Sequence, residues 1–188
     1  FLVLNTEDYP EKKSEELWKA RSEYKLAIKN GEMARASDMP YKKMQERITG
    51  DIDKDQSTYF VEAIRNNPDV TWTMIFMHKP VWLKEVEPEF LAIEEALSDR
   101  PYTVFNGHLH NYSHQVRKDR DYIMLGTTGG AQHPKRQMSF DHVTMVTIDK
   151  GQPSIVNLRM DGILDKTGHI PLDGESICFQ VSTCKNNE

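Results

Sequence analysis

Apolar and polar positions follow two rhythms along this chain, and the changes of rhythm mark its elements. Phe1-Leu2-Val3-Leu4 is an unbroken apolar run of strand length, closed by the polar turn Asn5-Thr6-Glu7-Asp8 and by Pro10. Ser14 to Ile28 is polar, with Leu17, Trp18, Tyr24, Leu26 and Ile28 scattered through it. That thin stripe predicts a peripheral helix or insertion, with Ser14 as a candidate cap. Residues 30–50 carry Gly31, Pro40, Gly50 and many charges, and read as a long surface excursion.

Regular periodicity resumes at Asp55-Gln56-Ser57. Phe60, Val61 and Ile64 keep helical spacing, and Asn66-Asn67-Pro68-Asp69 ends that helix. Val70 to Met77, rich in Trp, Thr, Ile and Phe, predicts a strand. Pro88 to Leu97 places Phe90, Ile93 and Leu97 on one helical face, and Tyr102 to Phe105 is a short buried strand. Further strands are expected over Tyr122–Leu125, His142–Ile148, Ser154–Arg159 and Ser176–Ser182. Strand and helix alternate first and strands then follow one another, so the fold class is α/β with mixed β-sheets flanked by helices.

The chain has 188 residues, enough for one domain of ordinary size. The main unit is expected over 1–150, with 151–188 as terminal strands or a small appendage. Lys plus Arg number 24 against 29 Asp plus Glu, and the signs alternate locally, so no basic surface for nucleic acid is expected. No apolar run approaches the length of a membrane span. Cys178 and Cys184 lie six residues apart; paired and unpaired states are both open, and so is the compartment. The opening apolar run has no leader before it, which suggests a chain that begins inside a fold.

The histidines carry the candidate chemistry. His78 ends the strand over Met74–Met77, and His108 and His110 follow the strand over Tyr102–Phe105 in Asn106-Gly107-His108-Leu109-His110. Each of these strands follows a helix. Parallel strands would deliver His78 and His108 to one edge of the sheet, where ligand sites gather. Single histidines at such places are usually ordinary loop residues, but three at two matching strand ends favour metal ligation. His114 and His133 are lesser candidates for substrate contact, His142 reads as packed or solvated at a strand start, and His169 as a turn residue. Gly126-Thr127-Thr128-Gly129-Gly130 lacks the lysine and spacing of a P-loop, and no Gly-x-Ser-x-Gly elbow exists.

Phe76-Met77-His78-Lys79-Pro80 and Asn106-Gly107-His108-Leu109-His110 together resemble the last two motifs of the calcineurin-like metallophosphoesterases. Phe1–Asn5, Gln56 opening its helix and Thr127-Thr128-Gly129-Gly130 extend the resemblance over residues 1–150. It implies the C-terminal half of a four-layer sandwich that hydrolyses phosphate mono- or diesters with two divalent metals, zinc, manganese or iron. It places His78 and His108 on one metal and His110 on the other. The family's earlier Asp-x-His, Gly-Asp-x-x-Asp and Gly-Asn-His motifs, which include the bridging carboxylate, are absent. Gly50-Asp51-Ile52-Asp53 resembles the second only superficially.

Two dications held close together repel strongly unless carboxylates surround them, and neutral imidazoles supply no such charge. This chain alone is therefore expected to hold one metal weakly or none, to be nearly inactive, and to need the missing N-terminal half as partner. Its open first strand predicts self-association. Two rival readings stand beside this one. In the first the chain is a non-catalytic interaction module on the same fold; in the second His78, His108 and His110 converge on a single ion.

Overall fold

The apolar runs read from the sequence assemble into a sheet whose two faces alternate as the strand period requires. The computed structural model describes residues 1–131 and 138–160. His133, His169, Cys178, Cys184 and the strand expected over Ser176–Ser182 lie outside the described residues.

Strand β1 (Leu2–Leu4) leads through helices α1 (Glu11–Lys29), α2 (Met33–Asp38), α3 (Pro40–Lys43), α4 (Glu46–Thr49) and α5 (Lys54–Arg65) to β2 (Thr73–Met77). After α6 (Pro88–Ala96) come β3 (Tyr102–Asn106), β4 (Ser113–Arg117), β5 (Arg120–Met124), β6 (His142–Asp149) and β7 (Gln152–Arg159). The five-stranded sheet has the order β1-β2-β3-β5-β4, and β6 pairs with β7 as a separate antiparallel hairpin. Strands β1, β2, β3 and β5 run parallel to one another, and β4 pairs antiparallel with β5 at the edge. The class is α/β: a mixed, mostly parallel sheet with flanking helices.

Alternation divides the core. Ile75, Met77, Tyr102, Val104, Tyr122 and Met124 face one way and pack with Ile64 of α5 and with Phe90, Ile93 and Leu97 at α6. Met74, Phe105 and Ile123 face the other way, beside Phe76, Tyr112 and Ile155. Phe76 and Phe105 stack there at 5.3 Å. Asp53 caps α5 by accepting a hydrogen bond from Gln56 N at 2.7 Å. Gln56 in turn clamps the chain leaving β1, since its side-chain amide takes Asn5 N at 2.8 Å and donates to Asn5 O at 3.0 Å.

Three details differ from the sequence reading. Ser14 does not cap α1, because its amide already donates to the Pro10 carbonyl at 2.9 Å inside the first turn. The region 30–50 carries three short helices, one of which reaches the strand ends described below. Strand β4 was not expected; it pairs with β5 across Lys118-Asp119, both in the left-handed conformation of a tight hairpin.

Candidate functional site

Register delivers the first two histidines. Met77 pairs with Asn106 across the parallel β2–β3 ladder, so His78 and Gly107 leave the sheet side by side. Gly107 N then donates to the His78 carbonyl at 3.1 Å. His108 turns back with φ 73°, and its Nδ1 stands 3.1 Å from Nε2 of His78. The rings meet edge to face, with centroids 5.0 Å apart.

The second nitrogen of His108 fixes its protonation. Nε2 lies 2.6 Å from the Arg47 carbonyl, which can only accept, so Nε2 carries the hydrogen and Nδ1 is the lone-pair nitrogen. Burial pushes the His108 pKa below its ordinary value, with the neighbouring His78 and Lys79 acting in the same sense. A neutral imidazole with its outer N–H held by a backbone carbonyl is the usual form of a metal-ligating histidine.

Arg47 sits on α4, which was invisible as a site element in the sequence because a main-chain carbonyl leaves no side-chain signature. Buried Lys79 pins this helix to the strand ends. Its Nζ lies 2.6 Å from a Glu7 carboxylate oxygen and donates to the Glu46 carbonyl and the Tyr9 hydroxyl, both at 3.1 Å. Its amide donates to Thr6 Oγ1 at 2.8 Å. Burial, with Glu7 nearby, raises the Tyr9 pKa. One turn further, Lys84 Nζ lies 2.7 Å from Asp51 and 2.5 Å from Glu87.

His110 goes elsewhere. It also adopts a left-handed backbone, φ 51°, and its Nδ1 donates to the Ala131 carbonyl. A Cβ placed on Gly130 would stand 3.5 Å from its ring, so His110 belongs to the glycine-rich loop 126–131. Asp141 holds that loop by accepting from Thr127 Oγ1 and, at 2.8 Å, from Gly129 N. Buried His142 accepts from Gly126 N at 2.8 Å, so it is packed rather than solvated, and burial lowers its pKa. His114 is half-exposed on the β4–β5 hairpin and bonds Asp121 at 2.7 Å.

The structure thus joins His78 with His108 and leaves His110 outside the pair. Among the described residues no group of three or more His, Cys, Asp or Glu side chains is close enough to hold a metal ion. Asp51 is engaged by Lys84, and Asp53 is a helix cap. The pair itself fits an ion. Two nitrogens bound tetrahedrally at about 2.0–2.1 Å stand about 3.3 Å apart, close to the 3.1 Å observed between these two. The described residues therefore supply two imidazole ligands and no carboxylate. No helix among them is long and apolar enough to cross a membrane. No family model and no curated protein matches this chain.

Proposed function

We propose that this chain carries the histidine part of a metal-dependent phosphoesterase site, with His78 and His108 as two ligands of one divalent ion. The observation that carries the reading is the pair itself: two imidazoles at adjacent parallel strand ends, spaced like ligands of one ion. Two left-handed non-glycine residues, His108 and His110, flank the turn beside it. Such strain concentrates at functional sites.

A bound metal would polarise a phosphoryl oxygen and lower the pKa of water. The chain's own residues do the rest. Arg47 O holds the His108 ring, Lys79 holds Arg47's helix, and Gln56 fixes the strand exit that faces them. His110, held at the loop 126–131, would serve a second metal when the remaining ligands are present. Carboxylates from the N-terminal half of the domain complete the dinuclear site in this reading, and phosphate mono- or diesters are the substrate class. The chain alone is nearly inactive.

The alternative, an interaction module on the same fold, draws on the edge at strand β1, where Phe1 is 84% and Val3 70% exposed and β2 is the one neighbour among the described residues. Metal content per chain after incubation with manganese or zinc separates the readings. One weakly held metal, lost in His78→Ala and in His108→Ala, is the expected result. Metal content that neither substitution changes, or none at all, overturns the metal reading.

A further inference from the structure

Three neighbouring parallel strands end on the same side of the sheet. Leu4, Met77 and Asn106 form one row of the ladder. Beyond that row β1 runs into Thr6-Glu7, β2 into His78-Lys79 and β3 into Gly107-His108. The two histidines form the imidazole pair, and Lys79 and Glu7 bring full charges to the same strand ends. Lys79 follows His78 directly. Its Nζ and His108 Nε2 hang on successive main-chain carbonyls of α4, Glu46 O at 3.1 Å and Arg47 O at 2.6 Å. Glu7 stands 2.6 Å from the same Nζ.

The lysine opposes a metal. Its side chain is 5% exposed and tied to Glu46 O and the Tyr9 hydroxyl, so the ammonium cannot turn away into water. A cation fixed there repels a divalent ion, and imidazoles carry no negative charge to set against it. Glu7 supplies that charge. The Lys79 hydrogen bond holds the Glu7 carboxyl below the usual carboxylate range despite some desolvation, and His78 acts on it in the same sense. Around His108, where burial dominates, Lys79 and Glu7 act in opposite senses.

We propose that Glu7 is the charge-balancing carboxylate of the histidine pair, offsetting the Lys79 ammonium so that His78 and His108 can hold a divalent ion. The inference rests on the metal reading of that pair. Glu7 is not a ligand in this role, in keeping with the lack of any three-residue ligand group among the described residues. Groups outside the ligand set tune a metal site without touching the ion. Nothing in the sequence announces the role, because Asn5-Thr6-Glu7-Asp8 reads as a polar turn.

Zinc is the probe, titrated into the whole chain and followed by nitrogen-15 spectra of the imidazoles and by competition with a chelating indicator. Glu7→Gln removes the charge and keeps an oxygen that can accept from Lys79 Nζ, so His108 should keep its Nε2–H tautomer. That variant should bind zinc roughly tenfold more weakly than the parent at low ionic strength. The deficit should shrink in about 1 M salt, where screening acts over about 3 Å. Glu7→Asp should recover part of the loss. A deficit indifferent to salt, or a mixed His108 tautomer in Glu7→Gln, makes the ion pair purely structural and overturns the proposal. Zinc binding equal to that of the parent also overturns it and leaves the metal reading standing. A parent chain whose His78 and His108 do not respond to zinc overturns both.

Discussion

His78 Nε2 and His108 Nδ1 face one another at 3.1 Å, and one hydrogen lies between them. The Arg47 carbonyl has already taken the hydrogen on His108 Nε2, and burial keeps that ring neutral. The shared hydrogen is therefore on His78 Nε2, which donates to His108. An ion entering between the rings needs both lone pairs, so His78 must surrender its Nε2 hydrogen while His108 keeps its tautomer.

Long-range nitrogen-15 spectra of the imidazoles read this directly. Without metal, both rings are expected as Nε2–H forms; with zinc, His78 changes and His108 holds. His110→Ala should leave the zinc response intact, because that ring is committed to Ala131 and the loop 126–131. Loss of the zinc response in His110→Ala would revive convergence of all three rings on one ion.

Strands β2 and β3, the helix before each, and the meeting of His78 with His108 were legible because long apolar runs and a parallel register dictate them. The turn that ties His110 to the loop 126–131 was not. It follows from two left-handed backbone turns that histidine, unlike glycine, does not announce. Strand β4 was hidden for a related reason. Ser113-His114-Gln115-Val116-Arg117 is mostly polar, and its turn is Lys118-Asp119 instead of the Asn-Gly that signals such a hairpin. Helices α2 to α4 are too short to show a period.

Glu94 ties that unexpected hairpin to α6. Its carboxylate is fully buried, takes Arg117 Nε at 2.8 Å and Nη2 at 3.1 Å, lies 3.0 Å from Lys118 Nζ, and accepts from the Tyr122 hydroxyl. Burial opposes ionisation, but these donors together hold its pKa below the usual carboxylate range. Glu94→Ala leaves partly exposed cations facing a void, and should cost about 3 kcal/mol in chemical denaturation. Tyr122→Phe removes one donor and should cost about 1 kcal/mol. Equal costs would mean that packing, not charge, holds the hairpin.

Acid should weaken the fold before the carboxylates titrate. Burial lowers the pKa of His108 and of His142 in the folded chain, whereas the unfolded chain takes up protons near pH 6.5. As pH falls below about 6.5 the unfolded state binds more protons, so stability declines until the folded pKa is passed. Denaturant midpoints at pH 7.5 and 5.5 measure the decline. His142→Gln keeps an acceptor for Gly126 N and should flatten it; an unchanged slope would place the effect elsewhere.

Gly50 links the fold to the site. It sits at φ 74°, and a Cβ there would stand 2.3 Å from the Thr6 carbonyl and 2.9 Å from Lys79 Cβ. Gly31 has nearly the same backbone, φ 76°, with nothing within 4 Å of its would-be Cβ. The left-handed conformation alone costs an L-residue about 1–2 kcal/mol, so Gly31→Ala should lose about that much. Gly50→Ala adds a clash with backbone and should lose about 3 kcal/mol. The strain falls between α4 and Asp51, whose amide bonds Thr6 O at 3.0 Å, so the chain carrying Arg47 should shift. His108 would then lose the carbonyl that fixes its tautomer, and its imidazole spectrum should become an average of both forms. A Gly50→Ala protein that melts with Gly31→Ala and keeps a single His108 tautomer would disconnect α4 from the histidine pair.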